Sequence, residues 1–416
     1  MPEIAHLSSL AGSPLLDSAG DQLGKVEDVV ARLDDGSATV IGLTARIGGR
    51  EMFVPISRVQ QLGPYSVKTS TTKLNLAQFE RRPGEVLLRA DLLGRSVINV
   101  ATARLVTARD VELIDRDGTW FVAGIDPGVG AGIRRFLPRR FRRHEGEHAQ
   151  LVPWSEIEPF VGHVPSSRLR LASRRLLRLH PAQIADLVEA ATHDEGEEIL
   201  EAVGQDKELE ADVFEELDDE HQVEFLRQRS DHEVASVLAR MASDDAADLL
   251  LELDQDRRLP TLNLLPAAKQ AKIKRLLGYN PSTAGGLMNP DFASLPVDAN
   301  VEQARALVRA SQLSPTQLLA AWVLDVQGRL VGGVYASELL LADGADSVTS
   351  LIETRVPTIS AETELPEVAR LMADYNLVAI PVVDDEEKPI GVIAFDDVLE
   401  QVLPATWRWR AGDARG

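Results

Sequence analysis

Asp231-His232-Glu233-Val234-Ala235-Ser236-Val237-Leu238-Ala239-Arg240-Met241-Ala242-Ser243-Asp244-Asp245-Ala246-Ala247-Asp248-Leu249-Leu250-Leu251-Glu252-Leu253 decides how this chain is read. Val234, Val237, Leu238 and Met241, then Leu249, Leu250 and Leu253, recur at helical spacing, with acids on the positions between. The texture extends outward: residues 181–258 hold 25 Asp and Glu against 6 Lys and Arg, a net −19 of the whole chain's −21. Carboxylates packed so densely repel one another and require a basic partner or bound cations. Disorder is the other way to tolerate such charge, but Ile184, Leu187, Val188, Val213, Phe214, Leu217, Val223, Phe225 and Leu226 keep the helical period. Helix starts at Asp219, Asp231, Ser243 and Asp256 lie about twelve residues apart, roughly three turns. Helices that short are unstable alone. The spacing therefore predicts a solenoid of short antiparallel helices, with Asp and Ser as N-caps.

At 416 residues the chain has room for two to four domains. It has no cysteine, which excludes disulfides, thiolate metal sites and a Cys nucleophile. Met1 to Gly20 lacks a basic region followed by an apolar run, and no run reaches the roughly 18 apolar residues of a membrane span. The expectation is a soluble, cytoplasmic protein.

From Pro14 to about Val161 the text reads as short strands and turns. Val26 to Leu33, the turn Asp34-Asp35-Gly36, Thr39 to Arg46, the turn Gly48-Gly49 and Met52 to Ile56 form one series. A similar order follows about seventy residues later, where Leu151-Val152-Pro153-Trp154 answers Phe53-Val54-Pro55-Ile56. Two tandem small β-barrels are expected. Leu23-Gly24-Lys25-Val26-Glu27-Asp28-Val29-Val30 and Glu51-Met52-Phe53-Val54-Pro55 resemble the PRC-barrel family, the second copy more loosely. Beyond Asn280-Pro281, a helix–strand–turn–strand–helix order occurs twice, about sixty residues apart, and resembles a CBS tandem. Gly391-Val392-Ile393-Ala394-Phe395-Asp396-Asp397-Val398 is its clearest phrase.

About residues 169–403 resemble the cytosolic part of the MgtE family of magnesium channels. The matching phrases are Leu179-His180-Pro181 with Ile184-Ala185-Asp186-Leu187, Asp244-Asp245 with Ala247-Asp248, Ala284-Gly285-Gly286-Leu287-Met288, and Glu367 through Tyr375. The expected fold class is multidomain α+β. It comprises a PRC-barrel-like domain at 1–82, a more divergent one with an Arg-rich loop at 83–165, the acidic helical domain at 166–279, a CBS pair at 280–403 (about 284–346 and 347–403), and a tail at 404–416.

The resemblance implies that Mg²⁺ bridges carboxylates of the helical domain and the CBS pair, closing one on the other. Two carboxylates about 5 Å apart repel by roughly 3 kcal/mol at an effective dielectric near 20, so such faces need cations to meet. Mg²⁺ suits them because it takes hard oxygen ligands and keeps several waters. Carried over residue by residue, the ligands fall on Asp212, Asp244 and Asp248 in the helical domain and on Glu364, Asp397 and Glu400 in the CBS pair. Asn376 stands where the family has a carboxylate. After Leu403 the family continues into a connecting helix and membrane helices, whereas this chain reads Pro404-Ala405-Thr406-Trp407-Arg408-Trp409-Arg410 and soon stops. The expectation is thus a Mg²⁺-sensing regulator, homodimeric through its CBS domains and linked to magnesium homeostasis, with no transport activity carried over.

Other readings stay open. CBS pairs often bind adenine nucleotides through a hydroxyl residue three before an Asp; here Asp397 follows Ala394, and Tyr335 and Glu338 hold the equivalent places. Eleven arginines lie between Ile133 and Leu179. Arg134, Arg135, Arg139, Arg140, Arg142 and Arg143, interleaved with Phe136, Leu137 and Phe141, suit a membrane protein, an anionic membrane at its inner face, or nucleic acid. Salt bridges from a solvated loop to the acidic helices are the plainer account. His144-Glu145-Gly146-Glu147-His148 fits a zinc-protease spelling, but its central Gly and missing third ligand argue against zinc. Gly128-Val129-Gly130-Ala131-Gly132 has the wrong spacing for a phosphate loop. No nucleophile, base and oxyanion donors converge, so no enzyme is expected.

Overall fold

The computed structural model describes residues 3–34, 37–63, 65–72, 78–82, 84–128, 151–160, 175–311, 313–352 and 356–403. The chain divides into two compact units, 1–216 and 217–416. Among the described residues no helix is long and apolar enough to cross a membrane.

The first unit begins with β1 (Ile4–His6), one helical turn at Leu7–Leu10, β2 (Pro14–Leu16), β3 (Gln22–Asp34), β4 (Ser37–Ile47), β5 (Arg50–Pro55), β6 (Val59–Leu62) and β7 (Val67–Thr69). The series then recurs: β8 (Glu85–Leu87), a wide helical turn at Leu88–Leu92, β9 (Ser96–Asn99), β10 (Arg104–Thr107), β11 (Asp110–Arg116), β12 (Thr119–Asp126), β13 (Val152–Pro153) and β14 (Ile157–Pro159). Register fixes the repeat at 82 residues rather than about seventy. The pair Pro14↔Lys25 is echoed by Ser96↔Thr107, and Asp34↔Ser37 by Arg116↔Thr119. The matching phrases occupy equivalent places: Gly42 pairs Pro55 and Gly124 pairs Pro153, each proline being followed by a single 3₁₀ turn.

The copies are not separate barrels. Each sends its first strand to the other, with β1 pairing β11 and β8 pairing β3, so among the described residues eleven strands share one sheet, and β9, β10 and β14 form another. Buried aspartates lock the exchange. Asp28 of the first copy accepts from the Arg89 and Ala90 amides of the second at 2.7 and 2.9 Å; Asp110 of the second accepts from the Ser8 amide of the first at 3.0 Å. One apolar core, running from Leu7 and Leu15 through Leu88 and Val97 to Trp154 and Ile157, serves both copies. The unit continues into helices Pro181–Ala190, His193–Val203 and Lys207–Glu216. The first of these packs on the third and on β10.

The second unit opens with helices Asp219–Arg227, Asp231–Leu238, Ser243–Glu252, Gln255–Leu264 and Ala267–Leu276. Each of the first three packs against the next but one, as a solenoid requires. The starts fall where the spacing places them or one residue earlier, but the side-chain caps are Asp218 and Ser230, since Asp219 and Asp231 are already helical. Phe225, Leu226, Val234, Leu238, Leu249 and Leu250 fill the seam. Each fully buried aliphatic side chain contributes about 1.5–3 kcal/mol, which offsets the weakness of three-turn helices. Arg257 stitches the loop ahead of the Asp231 helix, donating to Asp231 at 2.8 Å and to the carbonyls of Leu226 and Arg229 at 3.1 and 2.6 Å.

Two copies of one plan follow. β15 (Ala293–Pro296), helix Val301–Ala310, β16 (Ala320–Leu324), β17 (Leu330–Tyr335) and helix Ala336–Leu341 make the first. β18 (Ile359–Ser360), helix Leu365–Tyr375, β19 (Ala379–Val383), β20 (Pro389–Ala394) and helix Phe395–Val402 make the second. In both, a short leading strand adds in parallel to an antiparallel hairpin. Asp325 and Asp384 pin the two hairpin turns alike, each accepting from the amides two and four residues on.

Candidate cation-sensing site

Asp244 and Asp248 stand one turn apart near the start of the Ser243–Glu252 helix, as their spacing requires. Ser243 is fully buried and donates to Asp291 at 2.8 Å; Lys272 pairs with the same carboxylate. Among the partners of Asp244 is Asn289, whose Nδ2 donates to Oδ1 at 2.9 Å. Asp248 is accessible at the surface, but the protein crowding its base, with Asp219 and Glu252 beside it, pushes its carboxyl up to about 6. Its accessibility tempers that shift.

Asp397 lies in the first turn of the Phe395–Val402 helix and accepts from the Ala394 amide at 3.2 Å. It is half-buried. Desolvation first, then Asp396 and Glu400, push its carboxyl up to about 7, while the Ala394 bond pulls the other way. Glu400 is exposed one turn on. Glu364 is exposed at the N-cap of the Leu365–Tyr375 helix, where its backbone bridges to Thr283. In the first unit, Asp212 is exposed on the Lys207–Glu216 helix; burial of its base raises it, reinforced by Glu208, Asp206 and Glu216 and opposed by His180.

The proposed ligands therefore form separate carboxylate nests. Among the described residues no three His, Asp or Glu side chains come close enough to hold one ion. Asp244 shares a helix with Asp248 and Asp397 with Glu400, while Asp212 belongs to the other compact unit. The donors are hard carboxylate oxygens, and Asp212, Asp248 and Asp397 are raised by desolvation and like charge, a chemistry that fits a hard, hydrated cation.

Glu338 mirrors Asp397, accepting from the Tyr335 amide at 2.9 Å, so both nucleotide candidates also cap their own helices. Asn376 has a local reason: at φ 53, ψ 43 it closes its helix in the left-handed region, which Asn tolerates well. The Gly-Gly of the Ala284–Met288 phrase is a matter of space, since a Cβ on Gly285 would meet the Tyr279 ring at 2.6 Å and one on Gly286 the Asn280 carbonyl at 2.5 Å. Asn289, Asp291 and Lys272 are not among the residues the sequence singles out; Asn289-Pro290-Asp291 carries no period and only one charge.

Arg134, Arg135, Arg139, Arg140, Arg142 and Arg143, like His144 to His148 and Val129 to Gly132, lie outside the described residues. Their place in the chain is telling: they fall between β12 and β13, where the first copy has only Gly48-Gly49 between β4 and β5.

Comparison with known proteins assigns the parts. Residues 2–74 match the PRC-barrel domain, 179–282 the MgtE intracellular N domain and 348–404 the CBS domain. The magnesium transporter MgtE of Thermus thermophilus is 30% identical over 195 residues, 46% of this chain and 43% of that protein. The MgtE of Bacillus subtilis is 27% identical over 192 residues, with the same coverage. The chain thus spans under half the length of these relatives. Among solved structures, the cytosolic domain of the Mg²⁺ channel MgtE in complex with ATP superposes with a TM-score of 0.51 at 27% identity, covering 56% of this chain and 94% of that one. The soluble part of a magnesium transporter, 24% identical with a TM-score of 0.50 over 56% of this chain and 89% of that one, shares the fold. The chain therefore joins a PRC-barrel domain and an MgtE N domain to a CBS pair, homologous to the cytosolic region of magnesium transporters.

Proposed function

We propose that this protein senses Mg²⁺ and regulates magnesium transport, the ion bridging Asp244 and Asp248 of the helical domain, with Asp212, to Glu364, Asp397 and Glu400 of the CBS pair. One observation carries the reading. Asp248 and Asp397 are both raised by desolvation and by neighbouring acids, the condition in which a carboxylate gains most from a cation. Ion occupancy then selects the closed arrangement, because only there are ligands of both faces paired. The part is regulatory rather than catalytic. Leu340 and Leu341 in one repeat and Tyr375, Phe395 and Leu399 in the other are exposed apolar side chains, and they support pairing of the CBS domains with a second copy. Small-angle scattering with and without millimolar Mg²⁺ tests the reading. Compaction of the wild type, lost in Asp244→Ala, is expected; unchanged dimensions in both would refute it.

A second reading is supported by the ATP held by the structural relative: the CBS pair responds to adenine nucleotide through Asp397 and Glu338. Calorimetric titration of ATP should then give heat that Asp397→Ala abolishes. The site of action we place at the inner face of a membrane, with the arginines between β12 and β13 as the contact to an anionic lipid surface or a membrane protein.

A further inference from the structure

Asn289 occupies a position no functional reading has yet used. It is 9% exposed and all its polar groups are engaged. Its amide donates to the Val392 carbonyl at 2.8 Å, and its carbonyl accepts from the Val392 amide at 2.9 Å, a two-bond bridge to β20. Its side chain divides its bonds, with Nδ2 donating to Asp244 at 2.9 Å and Oδ1 accepting from the Asp291 amide at 2.9 Å. Asp291 in turn holds the buried Ser243 and Lys272. The neighbourhood is tight: a Cβ on Gly391 would meet Met288 Sδ at 2.6 Å, and Arg275 donates to the Ile390 carbonyl at 2.5 Å. β20 is fixed to β19 along its length and runs directly into the Phe395–Val402 helix, which carries Asp397 and Glu400.

We propose that Asn289 is a positioning residue that couples the two carboxylate nests, tying Asp244 on the Ser243 helix to β20 and through it to Asp397 and Glu400. The proposal rests on the cation-sensing reading for its function, though not for its geometry. An amide nitrogen at 2.9 Å holds the carboxylate by a single directed bond. A cation ligated by Asp244 would compete with Asn289 for the charge of that carboxylate and so weaken or turn the bond, and the change passes to β20 because the Asn289 backbone bridges to its Val392. Ligation at one nest is then felt at the other, a coupling that is reciprocal by thermodynamic necessity.

The test uses the full chain with Asn289→Ala and the isosteric Asn289→Asp, each checked for an unchanged far-UV spectrum. Mg²⁺ alone is the titrant, followed by calorimetry. Wild type should bind cooperatively, and Asn289→Ala should bind with a Hill slope near one and about 5–10-fold weaker, the size of an ordinary allosteric coupling. An Asn289→Ala isotherm that superposes on wild type overturns the proposal. Hydrogen exchange without Mg²⁺ separates this failure from that of the sensing reading. Asp244→Ala should raise exchange at the Val392 amide about 3–10-fold, the effect of one net hydrogen bond; unchanged protection there overturns the tie even if Mg²⁺ proves irrelevant, and a raised rate with no Mg²⁺ binding in wild type rejects sensing alone.

Discussion

Replacing Asp397 by Asn keeps its shape and its capping oxygen while removing a carboxyl pushed up to about 7. With that value Asp397 carries about 0.9 proton at pH 6, about 0.5 at pH 7 and about 0.1 at pH 8, and a bound cation must expel what is there. Mg²⁺ binding should therefore release protons in those proportions, on top of a smaller contribution from Asp248 at the acid end. Calorimetry in buffers of different ionisation enthalpy reads the release directly. In Asp397→Asn the release at pH 7 should fall to about 0.1, what Asp248 alone would give. The same shift fixes stability without the ion. A raised carboxyl favours folding below its unfolded value of 3.8, and this support fades as pH rises through about 7, by at most about 4 kcal/mol. Wild type should thus lose thermal stability from pH 5 to 8 more steeply than Asp397→Asn, and Mg²⁺ should restore it. Proton release that does not vary with pH, or is equal in the two proteins, would refute the reasoning.

Asp28→Ala leaves the buried amide of Val29 and the part-buried amides of Arg89 and Ala90 without their acceptor and should cost about 2–4 kcal/mol in chemical denaturation; Asp110→Ala should cost a similar amount, since it plays the same part in the other copy. Asp28 is itself raised to about 6 by burial, so Asp28→Asn should flatten the loss of β-region stability between about pH 4 and 7. Gly391→Leu drives a side chain into Met288 and should weaken Mg²⁺ binding by calorimetry in the same direction as Asn289→Ala. Leu341→Glu, at a position 85% exposed, should leave the monomer folded yet convert the particle to half its mass by light scattering.

What could be read from the sequence follows the range of the forces involved. Helix positions are legible because Val234, Leu238 and Leu249 report a local period, while the cap of the Asp231 helix falls one residue earlier because Ser230 and Glu233 bond reciprocally as a capping box. β15 and β18 went unread, being four and two residues long and too short to carry an alternation. The pairing of His6 with Glu112 joins residues about a hundred apart, and nothing local encodes it. Asp244, Asp248 and Asp397 could be named because acids in an acidic helix, set beside known phrases, are conspicuous. Asn289 could not, because its role comes from a backbone bridge to Val392 formed only once both repeats are folded.

The exchanged strands of the β region carry a further consequence. A single copy of this unit offers a short strand and a helical turn that find their places only on another copy, so alone it would have to capture a second molecule at whatever concentration the cell provides. Joining the two copies in one polypeptide replaces that search with an intramolecular one at millimolar effective concentration, fixes the ratio at one to one, and frees the second copy to diverge. The long segment that replaces Gly48-Gly49 between β12 and β13 is the kind of asymmetry that only such a permanent pairing allows.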